Sequence, residues 1–228
     1  MTTFSKLLAS AGLALTALAA LPANAQVEGR IATVDVSGAV LGTTAFQNAY
    51  SEVARTYAQQ IELLRTKDQE RQTLLQTFDT NGNKQLEDAE VAAKQNTPEF
   101  TKLQTVTQEV QALTNQIDFA RIYAVEQVAV QYSAALQEVI TKQQIKLVVD
   151  PSSLIYLVPE ADITPQVVTA LNAKVPSVGV VPPTGWQPSR EGAQIYQEIQ
   201  QRLVAAQIQR QQQQQQQQQG NPAAPAGR

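Results

Sequence analysis

From Leu103 onward apolar residues recur in alternating steps of three and four: Leu103, Val106, Val110, Leu113, Ile117, Ala120 and Ala124. Such steps place every member on one stripe of an α-helix. A seam held for about three heptads needs a partner helix, because the helix that carries it cannot bury it alone. The start of this helix is marked: Thr97 suits an N-cap, Pro98 the first helical position, and Glu99 the positive end of the helix dipole. Nearer Val128 the apolar face widens as Ile122, Val125, Val130, Tyr132 and Leu136 join it. Burial on more than one side is expected there, as where a hairpin root meets a body or a neighbouring subunit. The pattern runs to about Gln144, roughly 70 Å of helix at about 1.5 Å per residue.

The partner lies upstream. Phe46, Tyr50, Val53, Tyr57, Ile61 and Leu64 form a second stripe, which fades at Asp68 and Arg71 and resumes at Leu75 and Phe78. Neither Pro nor Gly interrupts residues 43–81, so one helix of about 34 residues, about 50 Å long, is predicted. The two helices should pair as an antiparallel coiled-coil hairpin over about 44–144. Around it the period shortens. Residues 30–36, with Ile31, Val34 and Val36, read as a strand, as do residues 145–150 up to Pro151 and the run Leu154 to Val158. Thr164 and Pro165 open a further helix carrying Val167, Val168, Leu171 and Val175. The fold class is therefore α+β and mostly helical, a small β-body bearing one long hairpin. Residues 177–188 read as a Pro/Gly linker, followed by a helix from Ser189 to about Gln209. The nine glutamines and the tail after them, 211–228, lack the apolar content to fold and are expected to be disordered.

Composition narrows the chemistry. The chain has no Cys and no His, which excludes disulfides, thiolate or imidazole metal sites, and imidazole acid–base catalysis. Only 5% of residues are aromatic, while Ala and Gln are abundant, which favours helices over one large globular core. Lys6, the apolar run Leu7–Leu21 and Ala23-Asn24-Ala25 read as a signal peptide cleaved before Gln26, too short to span a bilayer. Loss of Lys6 leaves 16 basic residues against 20 acidic ones, a net charge of −4, and with no basic tract nucleic acid is not an expected partner. No nucleophile–base pair and no phosphate-cradling glycine loop is visible, so catalysis is not expected.

Two local signatures resemble the Skp/OmpH family of periplasmic chaperones. One is the opening Arg30-Ile31-Ala32-Thr33-Val34-Asp35-Val36 directly before a long helix. The other is Ile145-Lys146-Leu147-Val148-Val149-Asp150, then Ile155-Tyr156, then Asp162-Ile163-Thr164 and a helix with Val167, Val168 and Leu171. The resemblance covers about residues 28–176. It implies a jellyfish-like homotrimer whose strands join in a small body, with three hairpins hanging around a cavity that holds unfolded outer-membrane proteins without ATP. On that basis Val34, Val36, Leu147, Val149 and Ile155 are expected in the trimer body, and the inner hairpin walls against the client. The resemblance also implies a basic surface, and this chain departs from it. At a net charge of −4, long-range attraction of acidic clients is weak and no basic cluster is present for lipopolysaccharide.

At the expected hairpin tip, residues 79–90 resemble an EF-hand loop. Asp79, Asn81, Asn83 and Glu90 fall at ligand positions 1, 3, 5 and 12, and the Gln85 carbonyl at position 7. Lys84 stands where the motif wants Gly, and the two asparagines reduce the ligand charge, so any calcium affinity should be weak. The alternative is a polar tip in which Asn and Gly turn the chain. Two functions are thus expected to compete: a holding chaperone that needs no cofactor, and a calcium-responsive adaptor of the cell envelope.

Overall fold

The computed structural model describes residues 29–219. The expected signal peptide, 1–25, and the end of the tail lie outside them. Strands β1 (Arg30–Thr33) and β2 (Ile145–Val149) form a two-stranded parallel sheet, in which Ile31 pairs with Leu147 and Thr33 with Val149. Parallel neighbours need a long crossover. Here the whole hairpin is that crossover.

The first strand stops short of its expected end at residue 36. The Asp35 carboxylate accepts the Gly38 N–H at 3.0 Å and caps helix α1 (Val36–Leu41), so the chain turns into helix where the strand was expected to continue. Val36 is therefore a helix residue. The run Leu154–Val158 is not a strand either: short 3₁₀ turns at Pro151–Ser153 and Pro159–Ala161 bracket it. The place beside β1 goes instead to Asp162, whose neighbour Ile163 donates its N–H to the Thr33 carbonyl at 2.9 Å. Helix α7 (Thr164–Lys174) begins where expected. Its first N–H is bound by the Asp162 carboxylate, while the Thr164 hydroxyl accepts the Asp35 N–H at 3.0 Å.

The hairpin comprises α2 (Thr44–Thr56), α3 (Ala58–Phe78), α4 (Asp88–Lys94), α5 (Pro98–Ala129) and α6 (Tyr132–Gln143). Each of the two helices expected to be continuous is interrupted near the root, at Tyr57 and at Val130–Gln131. Neither site holds Pro or Gly. At Tyr57 hydrogen bonds to and from its backbone persist at 2.9 Å, so the helix kinks rather than ends.

The largest correction concerns the C-terminus. Residues 177–188 are no free linker, since Val180 is buried and Trp186 packs edge-on against Tyr123 and Phe119. Helix α8 (Arg190–Gln219) buries Ile195, Tyr196 and Ile199 in the same core as Val40, Val128 and Leu171. Its course through Gln211–Gln219 replaces the disorder expected there. Gln is a good helix former, and a docked first half supplies the nucleus that an isolated glutamine run lacks. Residues 220–228 lie outside the described part.

Between α6 and α7, Glu138 meets Lys142 at 2.6 Å and Lys174 at 3.0 Å. These hydrogen-bonded cations hold its carboxyl well down, to about 2. A lowered carboxyl pKa stabilises the fold above the ordinary glutamate value, and the contribution is lost as the pH falls through the lowered one. A side-chain NMR titration of Glu138 should therefore show a midpoint near 2, against about 4.3 for a free glutamate. A midpoint at the free value would mean that the α6–α7 bridge does not form.

Candidate functional site

The arm formed by α3 and the first half of α5 projects from the body, and its interior is only partly apolar. Of the expected seam, Val106, Ile117, Ala120 and Ala124 are buried, but Leu103, Val110 and Leu113 remain half-exposed. On α3, Ile61 and Leu64 are likewise half-covered and Leu63 is exposed. Two helices alone cover each other on one side, so such a seam keeps an accessible flank.

Where the α3 stripe fades, ion pairs replace it. Lys67 meets Glu109 across the hairpin at 2.7 Å and Lys102 meets Glu70 at 2.8 Å. Hydrogen bonding to Glu109 raises the Lys67 pKa, and the Lys102 ammonium lowers that of Glu70. These groups remain partly in contact with solvent, which screens the pairs, so they align the two helices more than they stabilise them.

At the tip Phe78 is fully buried against Phe100, with ring centroids 6.3 Å apart. In the loop beyond it the side chains of the sequence-predicted calcium donors Asp79, Asn81, Asn83 and Glu90 accept the loop's own N–H groups. Asp79 accepts the N–H groups of Gly82 and Lys84, both at 2.8 Å, and Asn81 accepts that of Asn83 at 2.9 Å. Asn83 in turn accepts the Gln85 N–H at 2.7 Å. Glu90 is almost completely buried: one oxygen accepts from the Thr80 hydroxyl at 2.8 Å and from the N–H groups of Thr80 and Asn81, the other from the Glu87 N–H. The Thr80 hydroxyl and these N–H groups hold its carboxyl below the ordinary range. Lys84 adopts φ 62°, the left-handed conformation for which the motif favours Gly. Among the described residues no three acidic side chains converge as a metal would need.

Glu90 thus organises the tip. Glu90→Ala is expected to speed amide hydrogen exchange of Thr80 and Asn81 by about tenfold or more, with the body unchanged. Unaltered exchange would remove that role. Because the pKa is lowered, the tip should stay ordered as the pH falls through the usual glutamate range and loosen only below it.

The residues expected in the trimer body do not gather in one core of the single chain. Val34 is buried, Val36 and Val149 are half-buried, and Leu147 is exposed beside its register partner Ile31. Ile155 and Tyr156 are exposed, at 106% and 80% of full exposure, a consecutive apolar run with no cover among the described residues. No helix among the described residues is long and apolar enough to cross a membrane.

A family model described as outer membrane protein (OmpH-like) matches residues 30–171, more than half of the chain. No curated protein sequence matches. Among solved structures, a protein described as an OmpH-like outer membrane chaperone from Caulobacter crescentus CB15 shares 17% identity with this chain. The likeness covers 77% of this chain and 95% of that one, at a TM-score of 0.43 that carries no weight by itself. On the family match, across the sheet, the hairpin and the start of α7, the chain belongs to the OmpH-like family.

Proposed function

We propose that the protein is a periplasmic, ATP-independent holding chaperone for unfolded outer-membrane proteins, acting as a homotrimer whose arms surround the client. The observation that supports it most is the arm, whose half-covered apolar flank (Leu63, Leu103, Val110, Leu113) alternates with charged and amide side chains. An unfolded chain offers no fixed shape. Many weak, short-range contacts on a long surface suit it better than a pocket, because each adds little and none requires a set geometry. The net charge of −4 after loss of Lys6 leaves little long-range steering, so contact rather than attraction holds the client. Membership of the OmpH-like family supports the client class. The uncovered Ile31, Leu147, Ile155 and Tyr156 supply a face on which subunits can join.

The test is aggregation of a urea-diluted outer-membrane β-barrel protein, with and without residues 26–228. Suppression near one trimer per client supports the proposal. A trimer that suppresses nothing would move the reading to a calcium-responsive envelope adaptor. That alternative requires Glu90 to exchange the Thr80, Asn81 and Glu87 donors for a cation. Calorimetry with millimolar calcium, where heat is expected only if that exchange occurs, separates the two readings.

A further inference from the structure

The family match ends at residue 171, yet the chain continues across the hairpin root. Gly179 and Gln127 bond reciprocally, the Gln127 amide donating to the Gly179 carbonyl at 2.9 Å and accepting the Gly179 N–H at 3.0 Å. Tyr57, at the kink between α2 and α3, donates its hydroxyl to the Val180 carbonyl at 3.4 Å. Val180 is buried with Val53 and Tyr57 from one side of the hairpin and Ile117, Ala120 and Ala124 from the other. Farther on, the Ser189 N–H donates to Glu126, and Tyr196 donates its hydroxyl to Asp118 at 2.6 Å. The same helix then reaches the body, where Ser37 donates to Glu198 and Arg202 forks onto Asp35.

These contacts have a common geometry. Helix α5 enters the body ahead of its interruption, where Ile122, Val125 and Val128 pack in the main core, and α3 is joined to α2 through the kink at Tyr57. That kink is a place where the arm can bend. The C-terminal segment grips α5 between residues 118 and 127, where it leaves the body, and grips α1 within the body. It also holds Tyr57 directly. It therefore pins the bend at Tyr57 and ties the base of the arm to the body.

We infer that residues 177–203 are a clamp that bridges α2, α5 and α1 beside the kink at Tyr57 and sets how far the arm swings from the body. This goes beyond client holding and does not depend on it. Removal of the clamp leaves the arm held by the core contacts of α5 and by an unpinned bend at Tyr57, so the arm should sample a wider range.

The chain has no cysteine, so Gln76→Cys near the tip and Gln166→Cys on α7 take spin labels at those two positions alone. Labelled full mature chain, diluted with unlabelled chain, gives the arm-to-body distance distribution by pulsed electron resonance, without client. In Gln127→Ala/Trp186→Ala the distribution should become about twofold wider, with helix content unchanged. A separate label at Thr184→Cys reports whether the strap has come loose. An unchanged width with a mobile strap would overturn the clamp. Should that pair not fold, Tyr57→Phe/Tyr196→Phe removes only two hydroxyls, and the same two results decide.

Discussion

Replacing Ile199 by alanine should lower the unfolding free energy by about 2–5 kcal/mol. Ile199 is fully buried in the main core, on a helix that packs against α1 and α5, elements far apart in sequence. Such a site has little freedom to collapse, so the lost contacts add to the lost transfer free energy. Ile208 gives the internal comparison. It lies on the same helix but is half exposed, and Ile208→Ala should change stability by no more than about 0.5 kcal/mol. Urea unfolding at one fixed protein concentration measures both, since any subunit association makes stability depend on concentration. Equal, small effects would mean that α8 is an appendage and not part of the core.

The second large effect concerns activity. A chain in which residues 66–111 are replaced by a short Gly/Asn-rich turn should lose suppression of client aggregation entirely, while its number of subunits in solution and the melting of its body are retained. Both core clusters lie outside the deleted segment: the main one draws on residues 32–46 and 122–199, and the smaller one ends at Leu64 and resumes at Ile117. What the deletion removes is the half-covered seam, the Lys67–Glu109 and Lys102–Glu70 pairs and the tip. Survival of suppression would place client binding on the body face around Ile155 and Tyr156 instead.

Much of this architecture was legible because helices announce themselves by period. The stripe from Phe46 and the seam from Leu103 lead directly to an antiparallel pair, and Thr97-Pro98-Glu99 marks the start of α5 correctly, with the Thr97 hydroxyl accepting the Phe100 N–H. The kink at Tyr57 left no such mark, since no Pro or Gly accompanies it. The strand boundary failed for a different reason. Val34 and Val36 keep β-type chemistry, but the Asp35 cap overrides it, and the tertiary bond from the Asp35 N–H to Thr164 is invisible in local sequence. Ile155 and Tyr156 misled in the same way, being apolar yet uncovered. The C-terminal segment was readable and under-read: Ile195, Tyr196, Ile199 and Leu203 have helical core spacing, but the Pro/Gly run before them and the glutamines after them suggested a linker and a tail. In the tip loop the residue spacing pointed to five oxygen donors for calcium. It could not show that Glu90 is already occupied by the loop's own N–H groups.

The parallel sheet with the arm as its crossover has a consequence for how the molecule assembles. β1 is made first and has no partner until β2, on the far side of the hairpin, exists. Closing so long a loop as open chain costs entropy before any strand contact repays it, but a hairpin that has already zipped brings the two ends together. Refolding should therefore show most helical ellipticity before the fluorescence of Trp186, the single tryptophan, reaches its native value at the root. The interval between the two signals is the time during which Ile31 and Leu147 wait unpaired, and it is then that this chain itself would most need protection from aggregation.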